Sequence, residues 1–252
     1  KVKEFENRFK DFFGSDFAVM VNSGSSANLI AIASLFFKNE NPLKRGDEVI
    51  VPSVSWSTSF SPLQQYGLKL KFVDVDLHTL NYNIESLKSS ITSKTKLLLG
   101  VNLLGNPQDF KKILELKSKF GFYFIEDNCE SMGAKYQNKY TGTFGDVGTF
   151  STFYSHHIST MEGGMITTNN EELYNIMLSL RAHGWTRDLP ENNLLIKKNN
   201  NEFEESFRFI LPGYNLRPLE FSGAIGIQQL KKLNNLVDKR RVNANYFVQK
   251  FK

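Results

Sequence analysis

The sequence predicts an α/β protein built on a mostly parallel sheet with helices on both faces. Two observations carry this. Short apolar runs such as KTKLLLGVNLLG and GFYFIEDN alternate along the chain with stretches whose apolar residues recur every three or four positions, the order of a doubly wound sheet. The central runs are apolar without a break, as strands are when both of their faces are covered.

The elements follow in order. VKEFENRFKDFFG predicts a helix, since Val2, Phe5, Phe9, Phe12 and Phe13 fall on one side and Gly14 is a suitable stop. FAVMVNS is a buried strand. SSANLIAIASLFF is apolar almost all round and predicts a buried helix. DEVIVPS is a strand, and LKLKFVDVD is another with Leu68, Leu70 and Phe72 on one face. After KTKLLLGVNLLG, Asn106-Pro107 is read as the cap and start of a helix with Phe110, Ile113 and Leu114 as its apolar residues. GFYFIEDN, DVGTFSTF and GMITTN are further strands, and Leu173, Ile176, Met177 and Leu180 mark a helix. Residues 185–213 interrupt the alternation with the polar, unpatterned KKNNNEFEE, and a loop of that length is commonly functional or mobile. PLEFSGAIGIQQLKKL returns to helix, and the chain is expected to stop at Lys252 inside a further one. No internal repeat is visible.

Composition narrows the function classes. The chain has 252 residues, 40% of them hydrophobic, which provides for a substantial core. No apolar run is long enough to span a bilayer, and no signal peptide is visible. A single cysteine, Cys129, fits a reducing compartment and therefore a cytoplasmic protein. The net charge of +5 is spread over scattered Lys and Arg pairs with no basic, aromatic-interleaved helix, so nucleic acid is not expected as a partner. A modest basic balance suits an anionic substrate such as a nucleotide sugar.

Four short motifs hold candidate chemistry. NSGSSAN (Asn22 to Asn28) turns a strand into a helix, and reads either as an anion site with Gly24 admitting a phosphate or as an ordinary Ser cap. IEDNCES puts Asp127 at the C-terminal end of a strand, the edge where ligands bind in open α/β sheets. A carboxylate there could serve a metal, a ribose or a protonated ring nitrogen, or simply cap a helix. Glu130 is near enough to share that site, and Cys129 reads as a small buried residue. In VPSVSWSTS, Trp56 suits either a stacking role on a flat ligand or the core. FYSHHISTMEGGM holds two of the four histidines, His156 and His157. Adjacent histidines rarely point at one ion and no nearby His or Cys completes a set, so no metal is expected. His183, in RAHGW, fits either a substrate pocket or a plain loop. Neither GxGxxG nor a P-loop is present.

The order of these motifs resembles that of the DegT family, the sugar aminotransferases and dehydratases among fold-type I pyridoxal phosphate enzymes. The resemblance runs from Phe5 to about Leu233. It implies the fold-type I large domain over residues 1–235, with 236–252 as the start of a C-terminal part that is truncated here. It implies that Gly24, Ser25 and Ser151 hold the cofactor phosphate, that Trp56 stacks on the pyridine ring, that Asp127 pairs with the ring nitrogen and that Glu130 sits near the ring hydroxyl. Asn215, in GYNLRPLEF, matches a residue lent across a dimer interface to the neighbouring phosphate, which implies a homodimer.

One departure is informative. Family aminotransferases carry a lysine, covalently linked to the cofactor, a few residues before Glu-Gly-Gly, and this chain reads HHISTMEGG with His156 in that place. Histidine cannot make that link but can move a proton near neutral pH. The substitution resembles the family branch that uses pyridoxamine phosphate to remove the C3 hydroxyl of a GDP-linked 4-keto-6-deoxy sugar in deoxysugar biosynthesis. Such enzymes recover the amine cofactor from glutamate, leaving pyridoxal phosphate as the spent form. Two other readings stay open. CDP-sugar 3-dehydratases also carry histidine there but hold a cysteine-bound iron–sulfur cluster, and no Cys follows Cys129. A catalytically inactive sugar-nucleotide-binding paralogue would also lack the lysine.

Overall fold

The computed structural model describes residues 1–251. A seven-stranded sheet forms its middle. In chain order the strands are β1 (Phe17–Val21), β2 (Glu48–Pro52), β3 (Lys69–Val73), β4 (Thr95–Val101), β5 (Tyr123–Asp127), a small separate hairpin of β6 (Lys135–Tyr136) and β7 (Lys139–Tyr140), β8 (Val147–Ser151) and β9 (Gly164–Thr168). The sheet order is β1-β9-β8-β5-β4-β2-β3. Pairs β2–β3, β2–β4, β4–β5 and β5–β8 are parallel, and β9 is antiparallel to both of its neighbours. Every strand of the sheet except β9 therefore runs the same way, and the C-terminal ends of six strands share one edge.

Successive strand residues point to opposite faces, and the core divides accordingly. Val19, Val21, Val49, Val51, Leu97, Leu99 and Ile125 face one apolar layer, together with α2 (Gly24–Phe36) and α6 (Glu171–Arg181). Ile50, Leu98 and Phe124 face a second, packed on α4 (Ile84–Ser90) and α5 (Phe110–Phe120). Ala18, Met20, Phe150 and Met165 face a third, packed on α1 (Val2–Phe13), α8 (Glu220–Leu230) and the start of α9 (Leu233–Lys250). This two-sided burial is why the central strands read as unbroken apolar runs. Helix α2 lies between the sheet and both α6 and α3 (Ser57–Gln65), which accounts for its being apolar all round. Gly14 ends α1 in the left-handed conformation, φ 77°, and its N–H donates to the Lys10 carbonyl.

Several expectations need correction. Helix α5 is capped by Asp109, which accepts from the Lys112 N–H, and not by Asn106. The reason is Gln108. Its backbone N–H donates to Asn102 and its side chain donates to the Val101 carbonyl at 2.6 Å, which holds the chain out of helix until Phe110. Leu116, and not Leu114, completes the buried face of this helix. Phe72 is 56% exposed, because β3 is an edge strand; it packs edge-on against Phe60. The polar stretch in 185–213 contains a short helix, α7 (Glu202–Ser206), capped by Asn201, and Trp185 stacks on Phe209 across that segment. Helix α9 is present to Lys250, and the expected end at Lys252 lies outside the described residues. Among the described residues, no helix is long and apolar enough to cross a membrane.

Candidate active site

A cleft of about 580 Å³ opens at the shared C-terminal edge of the strands. Each strand end contributes one part. β1 leads into Ser23, which caps α2 by accepting from the Ser26 N–H at 3.1 Å. The amides of Gly24 and Ser25 lie in the first turn, where backbone N–H groups have no intrahelical partner and favour an anion. The cap reading and the anion-site reading of NSGSSAN therefore hold together. A side chain at position 24 would stand 2.6 Å from the Ser151 Cβ and 3.0 Å from the Cys129 Sγ, so only glycine fits against the end of β8.

β2 leads to Trp56 at the start of α3. Its ring is 69% exposed, which excludes the core reading, and it lines the cleft. β5 ends at Asp127, which is 4% exposed and heads no helix. Its Oδ2 accepts from Asn28 Nδ2 at 2.9 Å and from Ser59 Oγ at 2.8 Å, and its Oδ1 accepts from the Cys129 N–H at 3.1 Å. Glu130 accepts from the Leu104 N–H at 3.1 Å. Cys129 is half-buried and lines the cleft, where it was expected to be buried; burial, with Asp127 beside it, pushes its thiol well above the ordinary range. β8 ends at Ser151, which is buried and accepts from the Phe153 N–H at 3.3 Å.

His156 sits in the connection from β8 to β9. Its N–H donates to the Phe153 carbonyl, its ring meets the Phe153 ring edge-on at 5.8 Å, and its carbonyl accepts from Arg240 of α9. Burial lowers its pKa below the ordinary imidazole value, partly offset by Glu130, so the ring is neutral and able to accept a proton at neutral pH. His157 is pushed down to about 4 by burial and by Arg240, and its Nδ1 has no hydrogen-bond partner among the described residues. It faces an adjoining cavity of about 460 Å³, into which His156 and Glu130 also reach.

Seven of the sequence-selected residues thus line one cleft: Gly24, Ser25, Trp56, Asp127, Glu130, Ser151 and His156. Asn215 does not. It bridges to Ala182, and its Oδ1 accepts from Arg217 at 3.3 Å. His183 is also outside the cleft, with φ 61° and its ring edge-on to Trp185. Sequence reasoning missed Ser59, Glu162 and Phe153 in the lining, and the buried partner Asn28. All four lay within motifs already singled out, at positions that the reading of those motifs passed over.

A helix N-terminus, a buried carboxylate, an exposed indole and a neutral histidine share one strand edge. The chain belongs to the DegT/DnrJ/EryC1/StrS aminotransferase family, whose model matches residues 1–252. It is 60% identical over 252 residues to a GDP-4-keto-6-deoxy-D-mannose 3-dehydratase of Escherichia coli O55:H7, a match covering all of this chain and 65% of that protein. Its fold superimposes with a TM-score of 0.97 on E. coli GDP-4-keto-6-deoxy-D-mannose-3-dehydratase with bound hydrated PLP, at 60% identity, covering 99% of this chain and 64% of the other. It does so equally on a GDP-4-keto-6-deoxymannose-3-dehydratase with a trapped PLP-glutamate geminal diamine, with a TM-score of 0.97 at 59% identity, covering 99% and 65%. The chain spans just under two thirds of the length of these relatives.

Proposed function

We propose that this chain is the cofactor-binding part of a pyridoxamine/pyridoxal phosphate-dependent dehydratase that removes the C3 hydroxyl from GDP-4-keto-6-deoxy-D-mannose. The observation that carries the reading is His156, a neutral imidazole in the cleft that also holds Asp127, at the position where family aminotransferases keep lysine. The 60% identity to a 3-dehydratase supports the substrate.

The residues present fit the cofactor. The absence of a side chain on Gly24 lets the first turn of α2 pack directly on Ser151, which suits a phosphate held by the turn's amides with Ser25 and Ser151 to donate hydroxyls. The exposed face of Trp56 suits stacking on a pyridine ring, and Asp127 suits the ring nitrogen. Glu130, held in the cleft lining by the Leu104 N–H, would lie near the ring hydroxyl. Bound there, pyridoxamine phosphate supplies the amine that condenses with the sugar ketone and a ring that takes up the electron pair.

The chain's own part is proton handling and positioning. Asp127 holds the proton on the ring nitrogen. His156 removes a proton from the C4′ carbon, and a proton held on His156 then assists departure of the C3 hydroxyl. General acid–base help of this kind is worth about 10²–10⁴-fold. Glutamate serves as amino donor in the return half of the cycle.

In this reading residues 1–235 are the large domain, and 236–252 begin a further C-terminal part. Asn215 serves the cofactor of a second copy in a homodimer, and the enzyme works in the cytoplasm. The test is incubation of the full chain with pyridoxamine phosphate, glutamate and either GDP- or CDP-linked 4-keto-6-deoxy sugar. Mass analysis should find loss of one oxygen with the GDP sugar. Loss only from the CDP sugar, or none, would overturn the reading.

A further inference from the structure

We infer that Asn28 and Ser59 are positioning residues that set the charge and aim of Asp127, and that Thr149 fixes the orientation of Asn28. The inference rests on the proposed role of Asp127.

Side chains from three elements converge on the last residue of β5. Asn28 comes from α2, Ser59 from α3 and Thr149 from β8, and all are at most 1% exposed. A carboxylate can only accept, so Asn28 must turn its amide NH₂ toward Asp127. Its Oδ1 then faces Thr149, whose hydroxyl donates to it at 2.6 Å. That bond is much shorter than the alternative from Thr149 to the Glu126 carbonyl at 3.3 Å, so the amide has one satisfied orientation. Ser59 donates to the same Oδ2 of Asp127, with its own oxygen 2.9 Å from Ser55 Oγ.

The consequence is asymmetric. Two donors occupy Oδ2, and each carboxylate oxygen has about two acceptor sites. Among the described residues Oδ1 takes only the Cys129 N–H, so the remaining acceptor site is on Oδ1. Donors on a carboxylate stabilise its negative charge over the protonated form. Removing one makes Asp127 a stronger competitor for the proton that it should leave on the ring nitrogen.

The test uses the full chain loaded with pyridoxal phosphate labelled isotopically at the ring nitrogen, read by NMR across pH. In the wild type the ring nitrogen should be protonated through neutrality, and in Asp127→Asn it should lose its proton. Asn28→Leu and Ser59→Ala should each raise the proton affinity of Asp127 by about ten- to hundredfold, from the worth of a hydrogen bond to a charged group, and so move the shared proton toward Asp127 and the ring-nitrogen signal at neutral pH toward that of the unprotonated ring. Dehydration turnover should fall roughly ten- to hundredfold with little change in KM. Ser59→Ala removes one hydroxyl and keeps the helix, so it reports even if Asn28→Leu folds poorly. Wild-type ring titration in a folded Ser59→Ala and Asn28→Leu, beside a changed Asp127→Asn, would overturn this inference alone. No change in Asp127→Asn would overturn the reading beneath it.

Discussion

Gly24 and Ser151 approach so closely, at the ends of two strands separated only by β9 in the sheet, that a methyl on Gly24 would stand 2.6 Å from the Ser151 Cβ. That contact sets the first turn of α2 against the end of β8, and so places backbone amides and a hydroxyl on one small volume.

Gly24→Ala should therefore separate these two ends. Overpacking of this kind costs about 1–3 kcal/mol. A drop in thermal midpoint should accompany weaker pyridoxamine phosphate affinity, since the amides and Ser151 no longer meet. Calorimetry and equilibrium dialysis measure the two effects. Unchanged affinity in the folded variant would show that the phosphate lies elsewhere.

His156→Asn should retain the cofactor, because the phosphate and ring contacts lie elsewhere in the cleft, and should fail to dehydrate the keto sugar. In the wild type the base must be neutral. Burial lowers the His156 pKa below 6.5, so the acid limb of kcat/KM should lie below pH 6.5. An acid limb above that value, or wild-type dehydration by His156→Asn, would remove the histidine from the chemistry. His156→Lys should become fixed to pyridoxal phosphate at residue 156 by borohydride, while the wild type stays unlabelled there.

Glu126, next to Asp127, has a separate task. It is fully buried, its Oε2 accepts from the Gly142 N–H, and its Oε1 accepts from the Phe144 and Gly145 N–H groups, all at 2.6 Å. Burial pushes its carboxyl up to about 7 against these three donors. Glu126→Gln must turn an NH₂ toward at least one N–H, and should cost about 2–4 kcal/mol. Urea unfolding measures this, and a loss under about 0.5 kcal/mol would show that the loop carries its own stability.

Asn215 stands outside the cleft of its own chain. If it serves the phosphate of a second copy, the full chain should scatter light as a dimer, and Asn215→Ala should weaken cofactor affinity without weakening the monomer fold. A fully active monomer would refute the shared site.

Much of the fold was legible because burial on both faces leaves a one-dimensional trace. The runs at β4 and β5 are apolar without interruption, and α2 is apolar all round. Local rules failed where tertiary bonds outvoted them. Asn106-Pro107 has the chemistry of a helix start, but buried Gln108 delays the helix to Phe110. Phe72 matches the strand pattern and faces solvent because its strand is at the edge.

The site divides along the same line. Residue types at strand ends were readable because a parallel sheet gathers them at one edge, so Gly24, Trp56, Asp127 and His156 could be selected from order alone. Their electrostatics could not be read. Whether Trp56 is core or cleft depends on what covers α3, and the burial that lowers His156 comes from packing. Ser59 closes the VPSVSWSTS stretch and nothing there distinguishes it from the serines around it; its hydroxyl matters because α3 brings it 2.8 Å from Asp127, 68 residues away along the chain. The order of residues dictates which chemical groups reach the edge of the sheet. Which of them are dry, paired and aimed is set by the packed layers, since desolvation and hydrogen-bond direction belong to the assembly and not to any single segment.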